Sequence, residues 1–143
     1  MIVENIFEDK IFPELKRYVE EKSIYKPTVT KAMPQQSKVF PIVPVKLLPV
    51  TNKYNNLSYG EETYTFGIEI NVYSVANGNT SKRTICNEVT EQVVDYFKTN
   101  YHVTIKTELD ALNADYSVHR NIVKITGKLD TKYGLDNLVI YPN

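Results

Sequence analysis

The chain has 143 residues, with 17 acidic and 17 basic side chains and a formal net charge of zero. That balance excludes a generic phosphate binder, which carries a basic excess. The 42% hydrophobic content excludes a disordered tail, and the length fits one domain, residues 1–143, with room for one core.

Residues 1–22 read as an N-terminal helix. Val3, Phe7, Ile11, Leu15 and Val19 recur at every fourth position, and Ile6 and Tyr18 widen the stripe. Pro13 interrupts the pattern, because it removes a helix hydrogen bond and crowds the preceding turn. Either a kink or a break with Pro13 in the first turn of a second piece follows. Residues 23–38 are a connection, with room for a short strand at Thr28–Ala32.

Residues 39–129 form the α+β core. Val39–Val50 reads as a strand, and Pro41, Pro44 and Pro49 make it an edge or an interrupted one. Thr51–Gly60 reads as a polar loop. Glu61–Val75 is the strongest strand. Tyr64, Phe66, Ile68, Ile70 and Val72 alternate on one face. After a turn at Asn77-Gly78-Asn79, Thr80–Asn100 reads as the second helix, buried along Ile85, Val89, Val93 and Phe97. Residues 103–109 and Tyr116–Leu129 supply two further strands, the latter with a bulge expected between Ile122 and Val123. Residues 130–143 are a C-terminal tail, with a short strand placed at Leu138–Tyr141. The order α-β-β-α-β-β gives an antiparallel sheet with two helices packed on one face and the other face free.

Sites of chemistry are sparse. The five glycines are scattered, with no phosphate loop among them. The single cysteine, Cys86, excludes an internal disulfide, and with only His102 and His119 beside it a four-ligand zinc site is not expected. Cys86 lies mid-helix beside the apolar stripe, where a small thiol packs rather than reacts. Glu61 and Glu62 open a strand and point to opposite faces. Asp110 and Asp115 fall in a loop that uses Asp for turns. His119-Arg120-Asn121 reads as a solvent-facing stretch at a sheet end. No catalytic residue, metal or cofactor is expected. The start, Met1-Ile2-Val3-Glu4-Asn5, lacks the pattern of a signal peptide. No stretch approaches the roughly 20 apolar residues of a membrane span.

The charge is unevenly distributed. Residues 1–21 hold six acids against three bases, whereas Lys22 to Gly60 contains lysines and no Asp or Glu. The two segments either neutralise each other within one subunit or complement a neighbouring one. The eleven tyrosines either fill sheet positions or serve contacts between subunits.

The middle of the chain, roughly residues 39–130, resembles a phage family. The carrying motifs are Phe40-Pro41-Ile42-Val43, the strand Ile68-Glu69-Ile70-Asn71-Val72-Tyr73 before a turn, and the helix with Ile85-Cys86-Asn87-Glu88-Val89. The closing strand runs from Asp115-Tyr116-Ser117-Val118 into Ile125-Thr126-Gly127-Lys128-Leu129. Together they resemble the tail-terminator or tail-completion proteins of long-tailed phages, also called minor capsid or head–tail joining proteins. Pro13 and the long tail after Leu129 depart from that pattern.

The resemblance implies a structural virion protein at the neck, made in the bacterial host cytoplasm. It implies a ring-forming homo-oligomer, commonly hexameric, that caps the head-proximal end of the tail tube and docks to head-closure (connector) proteins. DNA would pass through such a ring without sequence-specific binding. The interface candidates are Lys26, Lys31, Lys38, Lys46 and Lys53 of the lysine segment, Tyr54 and Tyr59 of the loop, Arg120, and Tyr133 and Tyr141 of the tail. A head-closure (stopper) protein and a small-molecule-binding α+β domain are the alternatives. The helix at 80–100 favours the terminator over the stopper, which tends toward a β-barrel.

Overall fold

A computed structural model describes residues 2–31, 39–56, 61–130 and 139–141. The N-terminal segment is one helical run in three parts: α1 (Ile2–Ile6), a π-helical turn (Phe7–Ile11) and α2 (Phe12–Lys22). Two features of the sequence account for the π-turn. Pro13 sits in the first turn of α2, where its missing N–H costs nothing inside the new piece. In addition, a repeat of strictly four residues overshoots an α-helical turn by about 40° at each step. The wider π-turn slows that rotation, and the Phe12 N–H donates to the Phe7 carbonyl five residues back. Val3, Phe7, Ile11, Leu15 and Val19 thereby all reach the core.

Among the described residues seven strands follow: β1 (Thr28–Thr30), β2 (Ile42–Leu47), β3 (Thr51–Asn56), β4 (Glu61–Ser74), β5 (Thr104–Glu108), β6 (His119–Asp130) and β7 (Val139–Tyr141). They build one sheet with the path β1-β2-β4-β6-β5. β3 continues the β2 side of β4, and β7 continues the β5 side of β6. The fold is thus mixed α and β, with a helical N-terminus and one later helix, α3 (Lys82–Asn100).

Several expectations of the sheet need correction. The sheet is not wholly antiparallel, because β1 runs parallel to β2. β2 is not an edge strand, since it lies between β1 and β4; Pro41 and Pro49 instead set its ends. Thr51–Asn56 is a strand rather than a loop, paired from Thr51↔Thr65 to Asn56↔Glu61. Its Asn and Lys content reads as loop, but its register is fixed by the long partner β4.

β4 and β6 form the spine, paired in one unbroken register from Thr63↔Asp130 to Ser74↔His119. The bulge expected at Ile122–Val123 is absent. The two residues face opposite sides of the sheet, and both are buried. The even-numbered residues Tyr64 to Val72 of β4 and the odd-numbered Val123, Ile125 and Leu129 of β6 join one core with both helical segments. This places the helices on one face, as the alternation predicts.

α3 begins at Ser81, whose Oγ accepts from the Thr84 N–H at 3.2 Å. It packs Ile85, Val89, Val93 and Phe97 against the sheet and runs antiparallel to α2. Ser23 Oγ donates to Glu88 at 2.6 Å at one end of that seam. At the other, the Tyr96 hydroxyl meets Glu14 and Tyr101, each at 3.1 Å. Burial pushes both the Tyr96 and Tyr101 phenols up.

The two edges of the sheet differ. At β1, Glu20 accepts from the Val29 N–H at 3.0 Å and Lys16 donates to the Val29 carbonyl at 3.0 Å, so α2 side chains seal that edge. Among the described residues nothing pairs the outer edge of β5.

Candidate interaction surface

The face of the sheet away from the helices is defined by register. Lys46 of β2 stands opposite Glu69 of β4, Glu69 opposite Lys124 of β6, and Lys124 opposite Lys106 of β5. One row across the sheet therefore reads Lys-Glu-Lys-Lys, and its three lysines are exposed. Lys106 and Lys124 are like charges directly opposed on neighbouring strands, an arrangement that destabilises a sheet. Arg120 and Lys128 lie four residues either side of Lys124 along β6, on the same face. Glu108, opposite Ile122, is the second carboxylate of this face. Within residues 42–47, 64–74, 104–108 and 119–129, Lys46, Lys106, Arg120, Lys124 and Lys128 thus meet Glu69 and Glu108 on this face.

The helical layer has the opposite bias. Glu91 and Asp95 project from α3 four residues apart, both exposed, and neither makes an ion pair among the described residues. Like charges at that spacing repel on a helix. They border a groove shared with Thr107 and Leu109 at the β5 edge, where Leu109 is 57% exposed.

The residues singled out in the sequence do not gather in one patch. Lys26 and Lys31 fold back on the acidic helix of the same chain. Lys26 Nζ donates to the Glu21 carbonyl at 3.0 Å, and Lys31 pairs with Glu8 and lies over the Phe12 ring. Neutralisation within the subunit therefore holds for Lys31, whereas Lys26 serves a backbone carbonyl at the end of α2. Lys46 and Arg120 share the bare face. Arg120 is tied down there, with Nε donating to Asn71 Oδ1 and Nη1 to the Leu112 carbonyl, both at 2.9 Å, and its guanidinium over Tyr73. Lys53 and Tyr54 lie on β3 and Tyr141 on β7. Lys38, Tyr59 and Tyr133 lie outside the described residues. In the sequence Lys106, Lys124, Glu91 and Asp95 belong to a second half with balanced charge, and only the register and the helix geometry bring like charges together.

His119-Arg120-Asn121 is not the solvent-facing stretch its composition implies. His119 and Asn121 point under α3 and are buried. Asn121 Nδ2 donates to Asn87 Oδ1 and Thr90 Oγ1, both at 2.9 Å, and its Oδ1 accepts from the Asp110 N–H at 3.0 Å. Thr90 donates onward to the Cys86 carbonyl at 2.7 Å. This network fastens α3 and the 109–118 loop to the sheet, and it satisfies every polar atom of Asn121 that it buries.

Cys86 is part of the same floor. Its Sγ lies 3.2 Å from the Val72 carbonyl and 3.9 Å from that of His119, so it meets the backbone of His119 rather than the imidazole. Burial pushes the thiol up to about 11, which keeps it protonated at neutral pH. Beside it, between the start of α3 and the 110–119 loop, is a cleft of about 620 Å³ lined by Arg83, Asp110, Leu112, Tyr116 and His119 among others. His119 Nδ1 lies 3.5 Å from Asp110 Oδ1, and its Nε2 is buried without a hydrogen-bond partner. Asp115 performs the turn chemistry expected of it, accepting from the Ser117 N–H and hydroxyl, which hold its carboxyl below the usual range. Among the described residues no three His, Cys, Asp or Glu side chains cluster as metal ligands, and no helix is long and apolar enough to cross a membrane. No family model and no curated protein matches the chain.

Proposed function

We propose that the chain is a structural virion protein that caps the head-proximal end of a phage tail tube and helps join tail to head. It would act as a ring-forming homo-oligomer, commonly hexameric, with the tail-tube protein on one side and a head-closure protein on the other. The reading starts from the resemblance over residues 39–130. The observation that carries it is the one-sided sheet: helices claim one face, and the other face and the helical layer bear like-charge clusters of opposite sign. A closed ring requires unlike patches that meet heterologously, and this arrangement provides them. The role assigned here is mechanical, with no catalytic residue or cofactor.

Sedimentation velocity of the full chain, combined with electron microscopy of assembled tails, tests the proposal. A discrete ring, or a monomer that assembles at the tube end, is expected. Absence of the chain from purified virions refutes it, and immunolabelling confined to tail-less heads would assign it to head closure instead. The cleft beside His119 favours a second reading, a small-molecule-binding domain, through its buried and unpartnered Nε2. A thermal-shift screen of small polar ligands against the wild type and His119→Phe separates the two, since only a ligand site gives shifts that the variant loses.

A further inference from the structure

We infer that the bare sheet face of one copy docks against the helical layer of the next, with Lys106 and Lys124 meeting Glu91 and Asp95. The inference rests on the ring proposed above and specifies its interface. Each pair is unfavourable inside its own subunit. Lys106 and Lys124 are directly opposed across β5 and β6, and Glu91 and Asp95 are one helical turn apart on α3. All four are exposed, and among the described residues none has an ion-pair partner. A chain with zero net charge that sets three lysines against one glutamate in a row on one face, and an anionic pair on the other, carries two patches that complement each other.

Geometry matches the charge. α3 packs over β6 and touches β5, so the acidic pair lies on the helical side of the same region of sheet whose other side carries the lysines. A displacement of one copy along the sheet normal, through the thickness of the molecule, therefore brings the lysines of one onto the carboxylates of the other. The exposed Leu109 beside the acidic pair adds apolar area to that contact. The two surfaces are different, so the contact is heterologous, and a rotation between successive copies closes it into a ring. The alternative occupant of the lysine face is the phosphate backbone of double-stranded DNA. The anionic pair on the same chain favours a second copy.

The test uses two double variants of the full chain, Lys106→Glu with Lys124→Glu, and Glu91→Lys with Asp95→Lys. Surface reversals of this kind leave the core untouched, and circular dichroism checks the fold. Sedimentation velocity at low salt should show self-association of the wild type that weakens as salt rises and the Debye length shrinks. Each double variant alone should associate roughly tenfold to a hundredfold more weakly. An equimolar mixture of the two should recover assembly, because in alternation the reversed sheet face of one variant meets the reversed helical face of the other, and their two unaltered faces meet likewise. Variants that assemble as the wild type does overturn the interface and leave the ring standing. A wild type that stays monomeric at every concentration overturns the interface as well, and its absence from virions would overturn the ring too. A wild type whose lysine face instead binds a short DNA duplex, with loss of binding in the Lys106/Lys124 variant and no effect of the Glu91/Asp95 variant, assigns the face to nucleic acid.

Discussion

Gly127 leaves no room for a side chain in the core, and replacing it with alanine gives a sharp test of the packing. It stands directly opposite Phe66 across the β4–β6 spine. A Cβ at this position would lie 2.8 Å from Phe66 Cζ and 3.1 Å from both Phe66 Cε1 and Val103 Cγ1. Carbon atoms pack best at about 3.5–4.0 Å, so the new methyl intrudes by roughly 0.7 Å. The void beside the ring, bordered by Val3, Phe7, Ile11, Leu47 and Leu129, holds only about 10 Å³, too little for the ring to swing into. Overpacking of this kind costs about 1–3 kcal/mol. Alanine returns roughly 0.4–1 kcal/mol by restricting the unfolded chain. The net loss is about 1–2 kcal/mol, or a fall in Tm of about 3–6 °C for a chain of this size. Urea and thermal denaturation of the full chain measure it. The double variant with Phe66→Leu should remove the clash, so that Gly127→Ala in that background is neutral or stabilising. An unchanged or raised Tm for the single variant, or the same penalty in the Phe66→Leu background, would refute the reasoning.

Three further outcomes follow from the same contacts. Asn121→Leu leaves the Asp110 N–H, Asn87 and Thr90 without their shared partner and should cost about 2–4 kcal/mol, read as a lower urea midpoint, whereas Asn113→Ala, at an exposed loop bond, should cost under about 1 kcal/mol. The Cys86 thiol is raised from 9.0 to about 11, so the folded state holds its proton after the unfolded state has lost it; the stabilisation is complete below pH 9 and lost by about pH 11, amounting to about 2–3 kcal/mol. Wild-type stability should therefore fall across that window more steeply than that of Cys86→Ala, and equal slopes would contradict the assignment. Lys106→Glu replaces a cross-strand repulsion with an attraction to Lys124 and should stabilise the monomer by about 0.2–1 kcal/mol while weakening self-association, a trade visible by comparing Tm at low protein concentration with sedimentation at high concentration.

The elements that the sequence predicts well are those with strong local periodicity. Tyr64 to Val72 alternate as a half-buried strand must, and Ile85 to Phe97 recur as an amphipathic helix must. Pro13 foretells the break in the first helix, and the strict four-residue repeat of Val3 to Val19 explains after the fact why a π-turn bridges it. What the sequence conceals is set by distant partners. Thr51–Asn56 looks like a loop because its strand character comes from β4. His119 and Asn121 look solvated because the groups that satisfy Asn121, Asn87 and Thr90, lie some 30 residues upstream on α3. The lysine-only segment looks like one basic surface, yet Lys26 and Lys31 turn onto the N-terminal helix while Lys46 turns to the opposite face. The like-charge clusters lie instead on an axis from sheet face to helical layer, because cross-strand register rather than chain order places Lys106 beside Lys124.

The central claim, that this protein ends the tail tube, is tested most directly by measuring tail length when the gene is silenced in an otherwise complete infection. Electron micrographs should then show tubes of irregular and excessive length that are not attached to filled heads, with wild-type length and attachment restored by the protein supplied in trans. Tails of normal, uniform length joined to heads in its absence would contradict the account.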